Sequence, residues 1–164
     1  MRVFVVECRQ IEGGHQMTVY FDMDGTIADL YGVENWLEKL RASNATPYAD
    51  AEPMVNIEQF TLSILAIQKQ GYEVGVISWT SKNGTSNYNK AVRSVKRAWL
   101  KATFPEIKFD EIHIVKYGTP KSKFATSNND ILFDDEEQNR ENWKGEAYEP
   151  TEIARVLEEL ARNV

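Results

Sequence analysis

Asp22 and Asp24 stand two residues apart, directly after the strand-forming run Thr18-Val19-Tyr20-Phe21, and are followed by Gly25 and Thr26. At a strand period of two, both carboxylates point the same way and Met23 turns aside. Two acids a few ångströms apart repel unless a cation or a shared proton relieves them. Mg²⁺ prefers oxygen ligands, so the pair makes half of a metal site. Gly25 permits a sharp turn and close backbone approach, and Thr26 supplies a hydroxyl. A solvated turn is the ordinary alternative for Asp-x-Asp-Gly, but here the acids leave an apolar strand rather than a polar loop.

Three further places carry compatible chemistry. Ser78 ends the apolar run Val74-Gly75-Val76-Ile77 and precedes Trp79 and Thr80; a hydroxyl there can donate to a phosphate oxygen. After Ile112-His113-Ile114-Val115 comes Tyr117-Gly118-Thr119-Pro120-Lys121, where a lysine can neutralise charge around a phosphoryl group. Lys121 is the choice, because Gly-Thr-Pro ends the strand and sets the next helix start; Lys116 and Lys123 stay open. Asp134 and Asp135 follow Ile131-Leu132-Phe133 as a buried strand emerges. The helix macrodipole accounts for Glu136 and Glu137 beyond them.

The elements that must position these residues alternate. Strands are expected at Thr18–Phe21, Val74–Ile77, Ile112–Val115 and Ile131–Phe133. A helix over Ile57 to Gln70 places Ile57, Phe60, Ile64, Leu65 and Ile67 mostly on one face, with Gly71 as its stop. A second helix over Asn89 to Phe104 aligns Val92, Val95, Trp99 and Ala102. A last helix starts near an N-cap at Thr151 and buries Ile153, Val156, Leu157 and Leu160. Short apolar strands alternating with amphipathic helices imply an α/β fold with a mainly parallel sheet, right-handed crossovers and helices on both faces. In such open sheets ligands bind outside the carboxyl ends of the strands, where the four sets of residues fall in order.

The composition sets bounds. The chain has 164 residues, enough for one domain, with 42% apolar and 27% charged residues and a net charge of −6. That charge argues against general binding to nucleic acid or anionic membranes. No apolar run approaches the ~20 residues that span a bilayer, and the N-terminus lacks signal-peptide features. The one cysteine, Cys8, forms no intrachain disulfide, so a cytoplasmic location is expected. Residues 1–16, with a short strand at Val3–Val6 and a turn at Glu12-Gly13-Gly14, read as an appended edge strand or as an extension outside the domain.

Taken in order, Asp22-Met23-Asp24-Gly25-Thr26, Ser78, Lys121 and Asp134-Asp135 resemble the four signature motifs of the haloacid dehalogenase (HAD) superfamily. The resemblance covers residues 17 to 145. The runs Ser78-Trp79-Thr80-Ser81 and Phe133-Asp134-Asp135-Glu136 are further similar to its small magnesium-dependent phosphatases. The resemblance implies a Rossmann-like, three-layer domain over 17–164 in which Asp22 is the nucleophile and Asp24 the general acid, then base. It implies Mg²⁺ held by the Asp22 carboxylate, the Asp24 backbone carbonyl and Asp134 or Asp135. It also implies a phosphoryl group held by Ser78 and Lys121, with Gly25, Thr26, Trp79 and Thr80 as substrate contacts.

Substrate choice in that superfamily usually lies with a cap inserted after the first motif. Here only residues of about 30–55 are available, including a short helix over Glu34 to Leu40 and a loop from Ala42 to Pro53. That leaves an open site, in which Tyr31 and Trp36 can stack a base or simply pack together. A small phosphomonoester or nucleotide is the expected substrate. A macromolecular phosphate, such as a nucleic-acid end or a phosphoprotein, is the alternative; the stripe Arg93, Arg97 and Lys101 would guide a nucleic-acid end. A receiver-like phosphate-binding module fits poorly, since in receivers the acidic pair precedes the phosphoacceptor aspartate.

Overall fold

The structure, a computed structural model, describes residues 17–163. The expected strand at Val3–Val6, the turn at Glu12-Gly13-Gly14 and Cys8 lie outside the described residues.

A five-stranded sheet carries the domain, in the order β5 (Glu111–Val115), β4 (Glu73–Trp79), β1 (Thr18–Phe21), β6 (Ile131–Phe133) and β7 (Ala147–Tyr148). Each pairing is parallel. The chain winds outward from β1 through β4 to β5, then crosses to the other side of β1 for β6 and β7. The strand order therefore reverses at β1, which opens a crevice at its carboxyl end.

Alternation along β1 assigns the faces. Val19 and Phe21 enter the main core with Phe60, Ile64 and Ile67 of α3 (Ile57–Lys69), Trp99 and Leu100 of α4 (Ser86–Thr103), and Val156 and Leu160 of α6 (Ile153–Arg162). Tyr20 faces the other way, with Ile77, Leu132 and Trp143. That second face is covered thinly, by the 3₁₀ turn Lys121–Phe124 and the segment around α5 (Glu137–Glu141) rather than by long helices.

The region after the first motif stands on a two-stranded antiparallel ribbon, β2 (Ala28–Asp29) with β3 (Glu52–Pro53). It holds a 3₁₀ turn at Leu30–Gly32, α1 (Trp36–Arg41) and α2 (Thr46–Asp50). Leu30 and Tyr48 pack on Tyr88 and Val92 of α4, and Trp99 Nε1 donates to Ala51 O at 2.8 Å.

Several expectations change. The stretch Ala42–Pro53 is not all loop: it contains α2, opened by Pro47 near the helix start. On α3, Ile57 and Leu65 are exposed, and the buried face is Phe60, Thr61, Ile64 and Ile67. Helix α4 begins earlier than Asn89, because the Thr85 hydroxyl accepts from Tyr88 N at 3.2 Å and caps it. Ala102 on that helix is exposed. Thr151 is not an N-cap; it lies inside a 3₁₀ turn at Pro150–Glu152, where the Glu152 carboxylate accepts from Glu149 N at 3.3 Å. Strand β7 was not anticipated, since two residues carry no readable period.

Candidate active site

Asp22 is held by the sheet itself. Its N–H continues the ladder to Phe133 O at 2.9 Å, and the residue is 6% exposed at the strand end. The chain then turns tightly, with Met23 O accepting from the amides of Thr26, Ile27 and Ala28 at 2.9–3.0 Å. Met23 drops into the core while Asp22 and Asp24 line the cleft. Gly25 has φ +79°, and a Cβ there would meet Asp135 Oδ2 at 2.4 Å, so both conformation and space demand glycine.

Lys121 ties two strand ends together. Its ammonium donates to Asp22 Oδ1 at 2.8 Å and Asp134 Oδ2 at 2.7 Å, and the residue is 4% exposed. Burial alone would lower its pKa, but the Asp22 and Asp134 carboxylates outweigh that and hold it above lysine's ordinary value. Lys116 and Lys123 are exposed and do not line the cleft. The positive φ of Gly118 (+84°) and the Lys116–Thr119 turn deliver Lys121 inward.

The acidic pair divides. Both Asp134 oxygens are engaged: Oδ1 accepts from Glu136 N at 2.9 Å, and Oδ2 from Asn139 Nδ2 at 3.1 Å besides Lys121. The Asp135 carboxylate is the less engaged: it takes a long contact from the Thr26 hydroxyl, 3.5 Å, and crowds the Asp22 carboxylate. Thr26, 1% exposed, is a strut rather than part of the cleft wall: it donates to Asp22 Oδ2 at 3.1 Å and accepts from Asp135 N at 3.2 Å. Burial and the Asp22 charge push Asp134 up to about 6 and Asp135 up to about 8. One oxygen each from Asp22, Asp134 and Asp135 can lie within 4.8 Å of the others. Crowded hard oxygen donors suit a small divalent cation, and the residues fit Mg²⁺.

Of the two hydroxyls expected at the site, Ser78 and Thr80, the structure brings Thr80 to the cleft wall and Ser78 behind it. Strand β4 runs on to Trp79, which leaves Ser78 fully buried beneath α4 and off the cleft wall. Thr80 lines the cleft, and its buried hydroxyl has no hydrogen-bond partner. Trp79 also lines the cleft, with the Lys121 ammonium 5.1 Å from its ring centroid.

The residue that sequence reading missed is Lys96. It is 1% exposed and donates to Asp24 Oδ2 at 2.6 Å, Ser78 Oγ at 2.8 Å and Trp79 O at 2.7 Å, with the Tyr48 ring 4.7 Å away. Burial raises the Asp24 pKa, and the Lys96 charge opposes that rise. The signal was present: Val92, Lys96, Trp99 and Leu100 recur at i, i+4, i+7 and i+8, so a lysine sits inside the apolar stripe of α4. Its neighbours in the basic series behave differently. Arg93 Nε donates to Ile114 O at 3.0 Å and Arg97 Nη2 to Ile112 O at 3.1 Å. Lys101 is exposed, and none of the three lines the cleft.

The cleft encloses about 490 Å³. Its floor is Asp22, Asp24, Lys121, Asp134 and Asp135, and its walls come from α1, the Leu30–Gly32 turn and the loops after β4 and β5.

No family model and no curated protein matches the chain. A solved structure of D,D-heptose 1,7-bisphosphate phosphatase from Burkholderia thailandensis is similar to it, with a TM-score of 0.49 and 13% identity over 77% of this chain and 70% of that one.

Proposed function

We propose that this protein is a Mg²⁺-dependent phosphomonoesterase of the HAD type, working through an aspartyl-phosphate on Asp22, with a small phosphomonoester or nucleotide as substrate. The observation that carries this reading is Lys121, buried and bonded to both Asp22 and Asp134 beside Asp24. A buried lysine between two carboxylates at one sheet edge is costly to assemble for stability alone.

The substrate phosphate sits against Lys121 and the Thr80 hydroxyl, whose buried oxygen then gains a partner. An Asp22 carboxylate oxygen attacks phosphorus as the bond to the leaving oxygen breaks, and Asp24 gives its proton to that alkoxide. Asp24 then takes a proton from the water that attacks the aspartyl-phosphate at phosphorus. Inorganic phosphate leaves and the Asp22 carboxylate is restored. Mg²⁺ would be held by the Asp22 carboxylate, the Asp24 backbone carbonyl and Asp135, and when bound it screens the repulsion between two anions. Asp135 is assigned ahead of Asp134 because its oxygens are the less engaged pair.

The test is release of phosphate from p-nitrophenyl phosphate and a phosphomonoester panel, with and without Mg²⁺. Wild type should turn over only with the metal, and Asp22→Asn should lose roughly a thousandfold or more in kcat while keeping its circular-dichroism spectrum. Equal inactivity of both across the panel defeats the proposal.

A further inference from the structure

Two aromatic pairs flank the phosphate end of the cleft. On the insertion side, Tyr31 and Trp36 meet edge to face, with ring centroids 5.0 Å apart at 71°. Tyr31 reaches the catalytic turn itself: a Cβ on Gly25 would lie 2.8 Å from its Cε2. On the core side, Trp79 and Tyr117 lie 4.9 Å apart at 54°. Trp79 is locked, since its Nε1 donates to Thr119 O at 2.9 Å. One pair therefore stands by Gly25 and Asp135, and the other by Lys121.

All four rings line the cleft, yet Tyr31 and Tyr117 remain 49% and 41% exposed. Aromatic surface left wet on the walls of a concave site is what a flat apolar ligand covers at little entropic cost. A cavity of about 490 Å³ also far exceeds a phosphoryl group, so the site is shaped for the rest of the substrate. Arg41, Ser43, Lys82 and Asn83 share its lining. They offer donors and acceptors to the heteroatoms of a base, which a bare phenyl ring lacks.

Building on the phosphomonoesterase reading, we infer that the substrate is a nucleoside monophosphate, its phosphate on Asp22 and Lys121 and its base stacked on the walls made by Tyr31–Trp36 and Trp79–Tyr117. Stacking, rather than a base-specific hydrogen-bond pattern, supplies the affinity, so purine and pyrimidine nucleotides are both accepted.

The experiment compares a nucleoside 5′-monophosphate, ribose 5-phosphate and phenyl phosphate on the full chain with Mg²⁺. The nucleotide should exceed ribose 5-phosphate in kcat/KM by roughly 10- to 100-fold. Trp36→Ala should collapse that ratio toward one; because Trp36 also packs on the Leu30, Tyr48, Tyr88 and Val92 cluster, the variant's circular-dichroism spectrum is checked, and the exposed Tyr117→Ala carries the test on its own if the fold is disturbed. A ratio near one in wild type, or a ratio unmoved by both Trp36→Ala and Tyr117→Ala, overturns the inference while leaving the phosphatase standing. Phenyl phosphate equal to the nucleotide also overturns it, in favour of a simple aryl phosphate. Calorimetric binding to Asp22→Asn separates the two readings. If no phosphate ester is hydrolysed, the enzyme reading falls, and nucleotide binding no tighter than ribose 5-phosphate then overturns the stacking inference too.

Discussion

Lys96, buried, and Asp24, which faces the cleft with its side chain 20% exposed, form a pair closed to water on the lysine side. Replacing Lys96 by Met leaves the Asp24 carboxylate without its partner, which should cost about 3 kcal/mol in urea unfolding. The same change frees the carboxylate from its fixed position. Hydrolysis of alkyl phosphates, whose leaving group needs a proton, should then fall further than hydrolysis of p-nitrophenyl phosphate, whose leaving group does not. An equal fall on both would mean that Lys96 is only structural. Asp135 gives a second prediction at this scale. Its folded-state pKa, about 8, lies above the ordinary carboxylate value, so the folded form holds the proton more tightly than the unfolded one. In the metal-free protein, stability contributed through this group is therefore present at low pH and is lost as pH rises through 8. Asp135→Asn should be more stable than wild type at pH 8.5 in EDTA, with the gap closing toward pH 4 in thermal melts.

At the scale of elements, what could be read from the residues depended on length and on parity. Strands β1, β4 and β6 and helix α3 announced themselves because each is an apolar run or stripe bounded by a recognisable stop. Strand β7 and helix α2 did not, being two and five residues long. The withdrawal of Ser78 from the cleft wall comes from a strand that continues past its apolar run, an end effect that periodicity does not fix. Lys96 was obscured by its own chemistry: counted as a charge it belonged to a basic face, and only its place in the apolar stripe revealed otherwise. The loop before β6 depends on one side chain. Asp130 is fully buried and accepts from Thr18 N, Thr126 N, Ser127 N and both of the Thr126 and Ser127 hydroxyls at 2.7–3.1 Å. Asp130→Ala strands these donors and should destabilise the fold by roughly 3 kcal/mol or more, read as a lower urea midpoint.

For the whole molecule, cation binding and folding are linked, because the acids that would hold Mg²⁺ come from β1 and β6 together. Saturating Mg²⁺ at pH 8 should raise the melting temperature by on the order of 5 °C. The rise should shrink in Asp135→Asn; no rise in wild type would contradict a preformed site. The two margins of the sheet differ in kind. On one side β7 is only two residues long. On the other, β5 turns Val115 O toward β4, where Thr80 N takes it at 2.7 Å, so Ile112 O and Ile114 O point outward. Arg93 and Arg97 occupy those two carbonyls. Their four-residue spacing, one helical turn, matches two residues of extended strand closely enough for adjacent guanidinium groups to serve alternate carbonyls. The consequence concerns behaviour in a crowd: with Ile112 O and Ile114 O already taken, this margin is a poorer template for a strand from another copy. A double Arg93→Ala, Arg97→Ala variant should remain folded yet become prone to concentration-dependent self-association, visible as rising light scattering where the parent solution stays clear.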